Sequence, residues 1–221
     1  LLGFRFNVNF DSPYQSATIT EFWRRWHISL SSWLKDYLYI SLGGNRKGKF
    51  RTYVNLFITM LLGGLWHGAS VRFILWGALH GIALAIHKFI MGRFRCFKQT
   101  GSEMSFFQRF IETIITFHLV CLGWILFRAD SMQTVKEILT QIFTNFHPEI
   151  FMQFVSGYSV VFSLMVIGYI FHFMPKKADL FVQGIVTRSP ILVQAAMLIV
   201  TIFIVVQFKN AGVQPFIYFQ F

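Results

Sequence analysis

Residues 1–17 show no regular alternation and carry the turn signal Asp11-Ser12-Pro13. Helical periodicity begins at Thr18, which with Glu21 forms a capping box that satisfies free N–H groups at a helix start. In the following FWRRWHISLSSWLKDYLYI, Arg25, Ser29, Ser32 and Asp36 share one face, and Trp26, Leu30, Trp33 and Tyr37 share the other. The pattern predicts one amphipathic helix over 18–42, lying along a membrane interface because Arg and Trp are both abundant. Gly43-Gly44 ends it. Residues 54–90 are then apolar almost throughout, and at about 20 residues per crossing they suit two short spans broken near Gly68–Ser70. Further apolar runs predict spans near 111–127, 154–174 and 190–208. No internal repeat or low-complexity segment interrupts this order.

Composition turns the pattern into a class. Of 221 residues 55% are hydrophobic and 28 are Phe, while 13% are charged, against roughly 25% in soluble domains. The expected architecture is all-α: a polytopic integral membrane protein with an interfacial amphipathic helix and a re-entrant or broken-helix hairpin. The sequence opens without Met and without a signal-peptide pattern, and it reads as part of a larger membrane fold.

Charge orients the spans. Lys and Arg exceed Asp and Glu by 20 to 9, a net +11. Arg46, Lys47, Lys49 and Arg51 form one basic loop; Arg93, Arg95, Lys98 and Arg109 form another, with Glu103 as its acid. Both are cytoplasmic by the positive-inside rule, so 54–90 is an out-and-back hairpin. Residues 128–153 are nearly neutral, and Lys176-Lys177 return to the basic side. Because Lys and Arg fall between apolar spans and form no continuous stripe, they point to membrane lipids and away from nucleic acid. Cys96, in a basic loop, and Cys121, inside a span, are poorly placed for a disulfide. Palmitoylation of Cys96 has little support.

The residue that asks for an explanation is His67, in LLGGLWHGAS. An ionisable group in hydrocarbon is costly and is by default a functional candidate. Gly64-x-x-x-Gly68 and Gly77-x-x-x-Gly81 are small-residue packing motifs, and glycine also allows irregular backbone where a cavity is lined. Two readings stay open: a general base facing a cavity, or an interior histidine hydrogen-bonded between helices.

His27 points to the apolar side of its helix, as a buried histidine or as a second active-site group. His80 and His87 lie seven apart on one face, without the further ligands a metal would need, so no metal site is expected. His118 and His172 read as packing residues. Asp36 lies near His27 in sequence but on the polar face, with Arg25 or an arginine of the basic loop as its expected partner. Gly43-Gly44-Asn45-Arg46-Lys47-Gly48 is a cationic loop that suits anionic lipid or the phosphate of an acyl carrier. It lacks the Walker pattern.

Two stretches, FWRRWHISLSSWLKDYLYISLGGNRKG (22–48) and VNLFITMLLGGLWHGASVRFILWGALHG (54–81), closely resemble the membrane-bound O-acyltransferase (MBOAT) family. Within it they are similar to the branch of bacterial alginate O-acetyltransferase membrane proteins, with D-alanyl transfer proteins of teichoic acid modification as relatives. GWILFRA (123–129) and the closing PFIYFQF (215–221) share that likeness.

The resemblance implies an MBOAT-like helical bundle, with 1–221 as the later part of a single transmembrane domain in a bacterial inner (cytoplasmic) membrane. It implies a cytoplasmic thioester donor, acetyl-CoA or another, with no tightly bound cofactor. The acceptor is an exported polysaccharide such as alginate, or a relay protein outside the membrane that passes the acetyl on. On this resemblance His67 of the Trp66-His67-Gly68 motif is catalytic and His27 of the RRWH motif is its second site position. Asn45, Arg46 and Lys47 lie near the donor, and Trp66 and Asp36 are further binding candidates. D-alanyl transfer, proton-coupled transport and a non-catalytic scaffold stay open as alternatives.

Overall fold

The structure, a computed structural model, describes residues 7–93 and 105–209, and all its regular structure there is helical. Arg95, Cys96, Lys98, Glu103 and the closing PFIYFQF lie outside the described residues. Two compact units divide the chain, Leu1–His172 and Phe173–Phe221.

In the first unit, α1 (Ile19–Arg25) and α2 (Ile28–Trp33) stand where one helix is expected. The start is as predicted: Thr18 Oγ1 accepts the Glu21 N–H at 3.1 Å. The reciprocal Glu21 carboxylate accepts from Ala17 N–H at 3.0 Å, one residue earlier than a standard box. The continuous helix expected over 18–42 is interrupted at Trp26-His27, where His27 takes a left-handed conformation (φ 44°, ψ 56°). Beyond α2 the chain winds as a π-helical segment, Leu34–Tyr39, and unwinds through Gly43 and Gly44, both at positive φ.

Contacts along the neighbouring helices trace this segment's path. α3 (Lys49–Trp66) and α4 (Val71–Arg93) form the long hairpin, broken at residues 67–70 as expected. Thr20 bonds His87 near the end of α4, and Trp23 meets Trp76 and His80 nearer its middle. Leu34 then lies against Gly63, and Gly44 accepts a hydrogen bond from buried Asn55 at 3.0 Å. α1 and α2 are thus two limbs of a hairpin laid along α3 and α4, with His27 at its tip. Trp33 and Tyr37, expected on the apolar side, are exposed and pack on each other at 5.6 Å.

Glycines set the α3–α4 spacing. A Cβ on Gly64 would collide with the Phe73 carbonyl, and one on Gly77 with the Met60 carbonyl; on Gly81 it would stand 2.9 Å from Phe57 Cα. Gly68, paired with Gly64 in the sequence motif, instead sits in the turn at φ +152° against Phe73.

α5 (Phe106–Arg128) closes the core, which gathers Phe22, Trp23, Met60, Trp76, Leu84 and Val120. Arg72 donates to the Ala129 carbonyl, tying the start of α4 to the end of α5. α6 (Met132–Thr144), α7 (Phe151–Gly157) and α8 (Ser159–His172) follow. His172 ends α8 and accepts the Tyr14 N–H at 3.1 Å. The second unit holds α9 (Lys176–Arg188) and α10 (Ile191–Lys209).

Among the described residues α4 and α5 are each long and apolar enough to cross a membrane. Pro148–Gly157 with Ser159–His172, and Lys176–Arg188 with Ile191–Val206, make two bent pairs that qualify jointly. The outward apolar residues of α8 and α10, Phe171 and Leu192 among them, suit lipid contact.

Gly77→Ala should therefore lower stability by about 1–3 kcal/mol through overpacking against Met60. Gly92→Ala, with nothing within 4 Å of the added carbon, should not destabilise. Thermal unfolding of the solubilised protein compares the two.

Candidate active site

His67 caps the C-terminal end of α3, its N–H donating to the Gly64 carbonyl at 3.0 Å. Gly68 follows at positive φ and lets the chain turn into α4. Four rings surround the half-buried imidazole: Trp66 at 4.9 Å, Phe127 at 4.9 Å, Trp76 at 5.4 Å and Phe73 at 6.2 Å between centroids. Among the described residues this ring makes aromatic contacts and no hydrogen bond, so a nitrogen is open to a ligand. Trp66 lies outermost, 59% exposed.

His27 stands at the break of the other hairpin, within electrostatic reach of His67. A left-handed conformation costs a non-glycine residue about 1–2 kcal/mol, so the tip needs support. The irregular strand before α1 provides it. Asp11 N–H bonds the Arg25 carbonyl at 2.9 Å, and Ile28 N–H bonds the Asn9 carbonyl at 2.9 Å. Asn9 Oδ1 accepts from the Ser29 N–H and hydroxyl, each at 3.0 Å. Residues 9–11 splint the chain on both sides of His27. Partial burial pushes the His27 imidazole below its ordinary pKa, a backbone hydrogen bond opposing the shift.

The cationic loop is held from three directions. Asn55 fixes Gly44; Tyr39 and Lys88 both donate to Asn45 Oδ1, at 2.5 and 2.9 Å. Arg46 and Lys47 are exposed, the Lys47 side chain lying over Gly43. Tyr39 and Lys88 also line a cavity of about 450 Å³ between the two hairpins, with Arg24 and Lys35 as further cations. Trp23, Leu56, Met60 and Leu84 make its apolar wall.

Asp36 does not join either cluster. It is exposed and pairs with Lys35 at 3.6 Å. Arg25, its expected partner, instead pairs with Glu21 at 2.8 Å. His80 and His87 do share one side of α4, both turned toward α1. Sequence reasoning passed over Trp23 and Trp76, which lie between the cavity and His67. The available signal was the i, i+4 spacing of Trp76, His80 and Leu84.

The candidate site therefore comprises two histidines at the breaks of two helical hairpins and a cationic, partly apolar cavity between those hairpins. The profile of the membrane-bound O-acyltransferase family, MBOAT, matches residues 1–127, and the chain belongs to that family. Among relatives, the probable alginate O-acetylase AlgI of Pseudomonas putida is 52% identical over 146 residues, 65% of this chain and 28% of that protein. The peptidoglycan O-acetyltransferase of Helicobacter pylori is 44% identical over 142 residues, 62% of this chain and 26% of that protein. The teichoic acid D-alanyltransferase of Bacillus subtilis is 30% identical over 134 residues, 58% and 33% respectively. The aligned stretches cover about a quarter to a third of these relatives' lengths.

Because the left-handed tip disfavours a Cβ, His27→Gly should be about 1 kcal/mol more stable than His27→Ala. The lowered pKa adds a pH signature. Between the folded pKa and the ordinary value near 6.5, the unfolded chain binds the proton that the folded chain refuses. Stability contributed at His27 is thus complete above that ordinary value and declines as pH falls below it. Melting curves of wild type and His27→Gln from pH 7.5 to 5 should diverge in that direction.

Proposed function

We propose that this chain carries the acyl-transfer centre of a bacterial membrane O-acyltransferase. In this reading an acetyl group passes from a cytoplasmic thioester, acetyl-CoA or another, to the hydroxyl of an exported polysaccharide such as alginate. The acceptor takes it directly or through a relay protein outside the membrane. The protein sits in the bacterial cytoplasmic membrane and crosses it several times.

The observation that carries this reading is His67, ringed by aromatic side chains at the break of the α3–α4 hairpin and linked through Trp76 and Trp23 to a cavity with a cationic rim. His67 has a ring nitrogen open to an acceptor hydroxyl and would act as its general base. The hydroxyl oxygen attacks the thioester carbonyl, the C–S bond breaks, and the proton held by His67 moves to the departing thiolate. His27, one residue before the cavity-lining Ile28, would act on His67 through electrostatics. The basic loop of Asn45, Arg46 and Lys47, with Lys88 and Arg24, would hold the phosphates of the donor, and Trp23, Met60 and Leu84 would face its apolar part. Trp66 closes the outer side of His67. Asp36, exposed and paired with Lys35, would affect only the approach of a charged donor.

D-alanyl transfer is the second reading, supported by the teichoic acid D-alanyltransferase relative at 30% identity. Acetyl ranks first because the O-acetylase relatives reach 53%. Transport without chemistry predicts substrate flux in proteoliposomes lacking any thioester.

In the full-length protein, His67→Ala should insert normally and lower ester formation on the envelope by about 10²-fold or more, the scale of general-base catalysis. Mass spectrometry of the envelope esters reads the loss and separates acetyl from D-alanyl. Undiminished O-acylation by a normally inserted His67→Ala protein would sink the assignment.

A further inference from the structure

We propose that Trp23, Trp76 and His80 form the hydrogen-bonding site for the carbonyl oxygen of the acyl donor, where negative charge gathers during transfer. The proposal rests on the acyl-transfer reading above and adds a named site to it.

The three rings come from α1 and α4 and touch pairwise: Trp23–Trp76 at 5.7 Å, Trp23–His80 at 5.2 Å and Trp76–His80 at 4.9 Å, each edge to face. Their exposures are 9%, 3% and 1%. Trp23 Nε1, Trp76 Nε1 and both His80 ring nitrogens are buried without a hydrogen-bond partner. An indole N–H is a donor only, and a neutral imidazole always carries one N–H. The cluster thus presents three N–H donors in one apolar neighbourhood. Each unpaired buried group costs about 1–3 kcal/mol, whereas phenylalanines would fill the same space at no such cost. A set of orphaned donors is matched to a ligand that accepts.

Position identifies the ligand. Trp23 also lines the cationic cavity, and Trp76 also stands edge-on to His67 at 5.4 Å. An acyl donor whose tail lies in the cavity would bring its carbonyl to this wall, with the carbonyl carbon turned toward His67. Gly123 on α5 leaves the room that the His80 ring occupies, since a Cβ there would lie 2.7 Å from His80 Nε2. As the acceptor oxygen adds to the carbonyl carbon and His67 takes its proton, the carbonyl oxygen becomes negative. Fixed N–H donors away from water stabilise that charge most strongly. When the C–S bond breaks, the C=O bond re-forms and the proton passes to the sulfur.

The test uses the full-length protein in nanodiscs and acetyl-CoA carrying ¹³C at the thioester carbonyl. Infrared difference spectra in a His67→Ala background read the carbonyl stretch without turnover. The bound band should lie below that of free acetyl-CoA. Replacing Trp76 with its benzothienyl analogue, which keeps the shape and exchanges N–H for sulfur, should move the band back toward the free value. His80→Phe should do the same, while His80→Gln should keep part of the shift.

With His67 intact, the benzothienyl replacement and His80→Phe should each lower kcat about 10- to 1000-fold with little change in donor KM and unaltered melting. An unchanged band together with kcat within about twofold of wild type overturns the carbonyl site while transfer itself stands. A wild-type protein that neither binds nor consumes any thioester overturns the acyl-transfer reading, and the carbonyl site with it.

Discussion

Close approach of two backbones, α3 against α4, is the constraint on which the rest of this unit depends. Between helices in lipid there is no hydrophobic gain to draw on, so association rests on van der Waals contact and on polar groups finding partners. Gly64, Gly77 and Gly81 supply that contact by letting the carbonyls of Phe73 and Met60 and the Cα of Phe57 fill the space of missing side chains. Once the helices are locked at this spacing, Trp76 on α4 falls beside His67 at the end of α3. On the same hairpin, α1 packs against α4 and the Leu34–Tyr39 segment packs against α3. The placement of Trp76 beside His67 is a consequence of three absent side chains.

The second hairpin is held differently. Its tip stores backbone strain at His27, and the support comes from Asn9 and Asp11, whose bonds bracket the break. Strain that persists under such over-determination is commonly found where a side chain must be aimed. What is held here is an imidazole that stands beside Phe10, within electrostatic reach of a second imidazole on another hairpin. A continuous helix through residue 27 would have placed that ring by its helical register alone, with no tip to present it.

The contrast explains what the sequence disclosed. Thr18 and Glu21 cap a helix through atoms three residues apart, so that start was legible. The α3–α4 break was legible because glycines and a long apolar run announce it locally. The interruption at His27 was not: the surrounding residues keep helical periodicity, and the bonds that hold the break come from Asn9 and Asp11, outside the helix. The Gly64–Gly68 motif named the right kind of contact and the wrong pair, since Gly68 serves the turn. Asp36 took a neighbouring lysine because Arg25 had Glu21 one turn away. His67 and His27 were each legible as unusual residues, whereas their meeting depends on both hairpins at once. Trp23, Trp76 and His80 belong to that same order of information, since only the packing brings their rings together.

Their wall also bears on how a membrane acyltransferase would keep its donor from water. A thioester reaching His67 through an open channel would meet hydroxide as readily as the intended hydroxyl. Trp23 in the cavity wall and Trp76 beside His67 put two indoles in contact with each other along the way from the cavity to His67. A barrier of leucines would exclude water equally well but would give the carbonyl nothing to bind. Indoles combine a large apolar face with a single donor at one edge, so the same surface can exclude solvent and receive the carbonyl oxygen. On the acyl-transfer reading, this is the physical reason for an aromatic wall carrying unpaired N–H groups in place of a plain apolar one.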